Sequence, residues 1–195
     1  MIAIKRVGIF GGSFDPIHFG HIHLITELNK KANFDQLVVV PSGQPWQKNP
    51  VATKLQRFEM TQIALQDLPV QVSDIEISRE GNSYAIDTVV EVKKANDPCQ
   101  VIWIAGSDVL QNLKTWHQIE KLAQLVEFLI VKRPNSKVDT AEVPNFIKFT
   151  EIEIDALGIS ATEVRGAIAT HSDTSQLIPA KVAEFIKSKG LYGAA

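Results

Sequence analysis

A single cysteine, Cys99, stands in a chain of 195 residues, so no disulfide framework can form within it. That fits a reducing compartment and makes Cys99 a small buried apolar side chain. Neither sign of charge is in excess: 20 Lys and Arg face 22 Asp and Glu, for a formal net charge of −2. A nucleic-acid partner would favour a strongly basic face, and none is expected. No apolar run approaches the ~18 residues of a membrane span. The N-terminal apolar stretch is cut by Lys5, Arg6 and Asp15, with no small-residue cleavage pattern behind it, so it does not read as a secretory signal. A cytoplasmic protein without membrane or nucleic-acid partners is the expectation, and a homo-oligomer is left open.

Known phosphate and catalytic signatures are missing too. Gly8, Gly11 and Gly12 do not make G-x-G-x-x-G, and no G-K-[ST] occurs, which disfavours a plain NAD-binding Rossmann enzyme and a P-loop NTPase. No Ser-His-Asp or paired-carboxylate arrangement is evident. No cysteine or acidic cluster sits at ligand spacing to complete a zinc site with the histidines below.

What is present is an apolar content of 45%, enough for a sizeable core, in a length that suits one domain over residues 1–195. Apolar runs alternate with helical stretches. Strands are expected at Val7–Phe10, Gln36–Pro41, Val70–Ile77, Gln100–Ala105, Val126–Val131 and Ile147–Ile154. Helices are expected at Gly20–Lys31, Lys54–Gln66, from an N-cap at Ser83 to Ala95, at Ile119–Gln124, Ser160–His171 and Pro179–Lys189. Pro41–Pro50 and Arg133–Val143 read as loops. Continuously apolar strands separated by helices imply an α/β fold, a Rossmann-like doubly wound domain with a mainly parallel sheet and C-terminal helices. Ligands in such folds bind beyond the carboxyl ends of the strands. Gly11–His21, Pro41–Lys48 and Gly106–Asp108 all fall there.

The first of these segments is strand, glycine turn, helix, an arrangement that presents backbone N–H groups to an anion. Its His18 and His21 are three apart and can face one object; capping the turn or filling gaps is the competing reading. His23 is expected on another, solvated face. In Ile159–Arg165, Ser160 and Glu163 spell a capping box and Ile159 and Val164 a hydrophobic staple. Thr162 and Arg165 are left over, on one face near the positive end of the helix dipole. An arginine there suits a docked anion, which it can grip in bidentate fashion. Tyr84 and Ala85 open another helix, whose N–H groups suit a small carboxylate. Asp108 follows a strand end, and Trp116 is either a stacking platform or core.

Together these segments resemble the nucleotidylyltransferase family, with its G-x-F-D-P-x-H-x-G-H turn at Gly12–His21 and its I-S-[ST]-[ST]-x-[IV]-R helix start at Ile159–Arg165. Within it they are similar to the bacterial enzymes that join nicotinate mononucleotide to ATP. Asp74–Glu76, Arg79–Gly81, Ser83–Thr88, Gly106–Asp108, Trp116, Ile178-Pro179 and Leu191-Tyr192 follow in the family's order. Two places depart from its pattern: Pro45-Trp46-Gln47-Lys48 stands where P-P-H-K is frequent, and Ala161 where Ser is common. The resemblance implies transfer of the ATP adenylyl group with release of pyrophosphate. It implies His18, His21 and Arg165 as catalytic residues. Gly12, Ser13, Phe14, Lys48, Gly106, Asp108, Ser160 and Thr162 would bind ATP. Tyr84, Ala85 and Trp116 would bind nicotinate mononucleotide, and Mg²⁺ would be carried mainly by the ATP phosphates. A phosphopantetheine adenylyltransferase and a non-catalytic nucleotide sensor of the same fold are the alternatives.

Overall fold

The computed structural model describes residues 4–141 and 143–194. Six strands form one parallel sheet: β1 (Lys5–Gly12), β2 (Gln36–Pro41), β3 (Gln71–Val72), β4 (Cys99–Gly106), β5 (Val126–Lys132) and β6 (Phe149–Glu153). Their spatial order is β3-β2-β1-β4-β5-β6, the doubly wound order in which the chain reverses direction between β1 and β4.

Side chains alternate across each strand, and the core is divided accordingly. Phe10, Ile102 and Ile104 face one cluster, together with Ile25, Leu28, Met60, Val164, Ile168 and Val182. These come from α1 (Phe19–Lys31), α2 (Lys54–Leu65), α5 (Ala161–Ala169) and α6 (Ala180–Ser188). Val7, Ile9, Val101 and Trp103 face the other cluster, with Ile86, Val89, Leu110, Leu122 and Phe128. That face is covered by α3 (Ala85–Asn96), a 3₁₀ segment at Ser107–Thr115 and α4 (Ile119–Leu125). No helix among the described residues is long and apolar enough to cross a membrane.

Three local expectations are corrected. The strand expected over Val70–Ile77 keeps only Gln71 and Val72. Ser73 N–H still bonds the Val39 carbonyl, but Ser78 turns back onto Asp74 through both backbone and side chain, a local competition with the ladder that Ser and Asp favour. The turn carries Glu76 inward, where it accepts 2.6 Å from the Thr88 hydroxyl. Ser83 is not the N-cap of α3; Tyr84 is. The Ser83 hydroxyl accepts instead from Gly43 N–H and Gln44 N–H, tying down the loop after β2. Cys99, expected to be buried, is half-buried at the start of β4.

Candidate active site

The carboxyl ends of β1 and β4 meet where the sheet order reverses. From β1 the chain passes through Gly11, Gly12 and Ser13 into a tight turn. Phe14 holds a left-handed φ of 48° there, a conformation uncommon outside glycine. Its ring is 2% exposed and packs on Phe10 and edge-on to His21, at a centroid distance of 5.0 Å. Any contact Phe14 makes with a ligand is therefore left to its backbone.

His18 sits at the N-cap of α1 and His21 within the first turn. Their rings stack at 3.7 Å. Gly20 leaves room for this: a Cβ there would lie 3.0 Å from His18 Nδ1, closer than an ordinary contact. Burial lowers the His18 pKa to about 4, with Glu163 opposing. Burial, then His18 and the Lys48 ammonium, lower that of His21 to about 3. Both imidazoles are neutral at pH 7, and Nδ1 of each is buried without a hydrogen-bond partner among the described residues. Native proteins satisfy nearly all such atoms, so the pair at the start of α1 is open to a polar ligand. His23, expected to be solvated, is half-buried and bonds the Asp155 carbonyl at 2.8 Å.

Helix α5 starts beside this turn. Both bonds of the Ser160–Glu163 capping box are formed. Arg165 donates to the Asp15 carbonyl at 2.7 Å and to Thr162 Oγ1 at 3.2 Å, which leaves three of its five N–H donors for another partner.

Two cavities open on either side of the switch point. One of about 190 Å³ is lined by Gly11, Gly12, Ser13, Lys48, Tyr84, Ala85, Trp103, Trp116 and His117, among others. It is largely aromatic: Trp116 stands edge-on to Trp103, and Tyr84 stacks on His117 at 4.2 Å. The other, about 540 Å³, is lined by Gly20, Gly106, Ser107, Asp108, Lys132, Arg133 and Asp155. Asp108 folds back over the chain there, and a Cβ at Gly106 would meet its carboxylate at 2.6 Å. The sequence-derived residues thus fall into three groups: the histidine turn with helix α5, the aromatic cavity, and the polar cavity.

Four residues had no site role in the sequence analysis. Asp15 is 6% exposed and accepts from Val51 N–H, Ala52 N–H and the Tyr192 hydroxyl. Arg57, 1% exposed, donates to the carbonyls of Ser13, Gly43 and Ala52 and so joins the glycine turn to the loop after β2. An arginine in mid-helix ordinarily reads as solvated, so Arg57 left no signal. Asp15 left one, its place between Phe14 and Pro16 inside the turn. Tyr192 left one too, as a marker in the family's order without a role, whereas His117 could be found only by its spatial neighbours.

A family model described as cytidylyltransferase-like matches residues 9–167, which includes both signature segments. The probable nicotinate-nucleotide adenylyltransferase of Saccharopolyspora erythraea is 32% identical over 191 residues, covering 96% of this chain and 90% of its own. That of Moorella thermoacetica is 35% identical over 198 residues, covering 96% and 91%. Among solved structures, the nicotinic acid mononucleotide adenylyltransferase of Plasmodium falciparum complexed with NaAD superposes with a TM-score of 0.81. It is 22% identical, with 98% of each chain covered, and supports the fold. A match of this length and identity places the chain in the cytidylyltransferase-like family, in its nicotinate-nucleotide adenylyltransferase branch.

Proposed function

We propose that the chain joins nicotinate mononucleotide to the adenylyl group of ATP, forming nicotinate adenine dinucleotide and pyrophosphate, a step of NAD biosynthesis carried out in the cytoplasm. The observation that carries this reading is the unpartnered histidine pair, set at the switch point between an aromatic and a polar cavity. A phosphate oxygen of the mononucleotide attacks the ATP α-phosphorus as the bond to pyrophosphate breaks. That oxygen is already ionised, so no general base is needed. Catalysis then consists of positioning two anions and stabilising the charge that moves to the leaving group.

His18 and His21 donate N–H groups to the ATP phosphates, His21 to the α-phosphate. Their neutrality is suited to an anion that arrives with its own charge, because a nearby phosphate favours the protonated imidazole. Ser160, Thr162 and Arg165 hold the β- and γ-phosphates. The Ser160 hydroxyl oxygen already accepts from Glu163 N–H, so its proton is available to a phosphate. Gly12, Ser13 and Phe14 contribute backbone from the turn, and Lys48, exposed on its loop, closes from above. Gly106 and Asp108 meet the nucleoside in the polar cavity. In the aromatic cavity Trp116 stacks on the pyridine ring, and the Tyr84 and Ala85 N–H groups receive its carboxylate. Among the described residues no three His, Cys, Asp or Glu side chains gather to hold a metal. Mg²⁺ would be carried mainly by the ATP phosphates and water, where it neutralises charge.

Pyrophosphate release measured with nicotinate and nicotinamide mononucleotides tests the reading. The acid is expected to have the larger kcat/KM by about tenfold or more, because the amide presents a donor to donors. Equal values remove the carboxylate subsite. Binding of ATP without turnover on either substrate supports a nucleotide sensor instead.

A further inference from the structure

The Tyr192 hydroxyl donates to Asp15 Oδ1 at 2.7 Å, across 177 positions of sequence. The same carboxylate accepts Val51 N–H at 2.8 Å and Ala52 N–H at 3.0 Å. The Asp15 carbonyl accepts from Arg165 Nη1, which also lies 3.9 Å from Asp15 Oδ2. Four segments meet at this one residue: the glycine turn, the end of the loop after β2, helix α5 and the last turn of the chain. A buried carboxylate depends on its donors. Two of the three are backbone groups of the loop; the third is a single side-chain hydroxyl.

The tail is shaped to deliver that hydroxyl. Gly190, Tyr192 and Gly193 all have left-handed φ, of 59°, 58° and 83°, and Ala194 N–H closes the wrap on the Leu191 carbonyl. A tyrosine is rarely held in this region without a reason in its surroundings. Burial, and then the hydrogen bond to Asp15, raise its pKa above the ordinary value, so it stays a donor throughout the working range of pH.

We propose that Tyr192 is a positioning residue for the phosphate grip: its hydroxyl holds Asp15, and Asp15 holds the Arg165 guanidinium. This rests on the reading of Arg165 as a phosphate ligand. Phenylalanine at 192 keeps the ring and removes only the donor. Asp15 and Arg165 then relax together, while the aromatic cavity, which none of Asp15, Arg165 and Tyr192 lines, keeps its Tyr84, Ala85 and Trp116 wall.

The full-length chain with Tyr192→Phe is expected to lose about tenfold in kcat, with an unchanged KM for nicotinate mononucleotide. In an Arg165→Ala background the same substitution is expected to change kcat by less than about twofold, since coupled residues are not additive. The same fold-loss in both backgrounds, or none in the first, overturns the proposal. Full kcat in Arg165→Ala alone overturns the phosphate reading of Arg165 and is recognisable as such. Leu191→Ala loosens the packing of the same tail without touching the hydroxyl. It is expected to lower the thermal midpoint and spare kcat; a kcat loss equal to that of Tyr192→Phe makes the tail a structural support and overturns the proposal.

Discussion

The two cationic parts of the proposed phosphate grip are prepared in opposite ways. Arg165 carries a permanent charge, is partly exposed, and is already held by Asp15 and Thr162. His18 is buried and His21 half-buried; both are neutral, and their buried Nδ1 atoms have no hydrogen-bond partner among the described residues. An arginine can be placed beforehand because its fork needs several partners and has donors to spare. Two imidazoles stacked at 3.7 Å cannot both be charged in the absence of an anion. Their charge is available only when the ligand brings the opposite one. On the proposed function, the rim is set by protein contacts and the floor is completed by substrate.

The largest break in this comparison is His21→Ala. It is expected to lower kcat by on the order of 10²–10³, as for a preorganised charge stabiliser, with a thermal midpoint no lower than that of the parent. Steady-state pyrophosphate release checks it. An unchanged kcat would return His21 to a packing role beside Phe14.

Acidification gives the next effect. Both histidines have native pKa values, about 4 and about 3, below the ordinary 6.5, so the unfolded chain takes up protons that the native chain refuses. Stability is full above about pH 6.5 and falls as pH drops toward the native values. Between pH 7 and 5 each histidine should cost on the order of 1–2 kcal/mol. Thermal midpoints across that range should fall less steeply in His21→Ala than in the parent; equal slopes would mean that other groups carry the acid sensitivity.

The smallest effect separates the cap from the site. Ser160 and Thr53 both make complete capping boxes, so Ala at either should cost about 1 kcal/mol of stability. Only Ser160→Ala should also raise the KM for ATP, by a few-fold, because only its hydroxyl is assigned to a phosphate. Matched denaturation curves and ATP titrations of the two variants decide it; the same KM in both confines Ser160 to capping.

Helix α5 was legible almost residue by residue, because capping box, staple and the leftover Thr162 and Arg165 lie within seven consecutive positions and follow local rules. β2 was legible to its ends, as a short apolar run between polar flanks. β3 was not. Its apolar alternation continues past Val72, and the Ser73–Ser78 side chains that end it act through short-range bonds that alternation does not register. Ser83 misled in the same way: a good cap by residue type, it bonds the loop after β2 because Gly43 and Gln44 lie within reach.

By itself, the sequence determined the parallel α/β architecture, the strand-end turn with His18 and His21, and the helix start with Arg165, all written in periodicity and in spacings of a few residues. Tertiary structure decided the strand order and the division of the site into two cavities. It also decided the neutrality of the histidines, which is a property of burial, and the junction at Asp15, whose partners Ala52, Arg165 and Tyr192 lie 37, 150 and 177 positions away. Contacts between such distant positions depend on how the whole chain packs, and no local pattern encodes them.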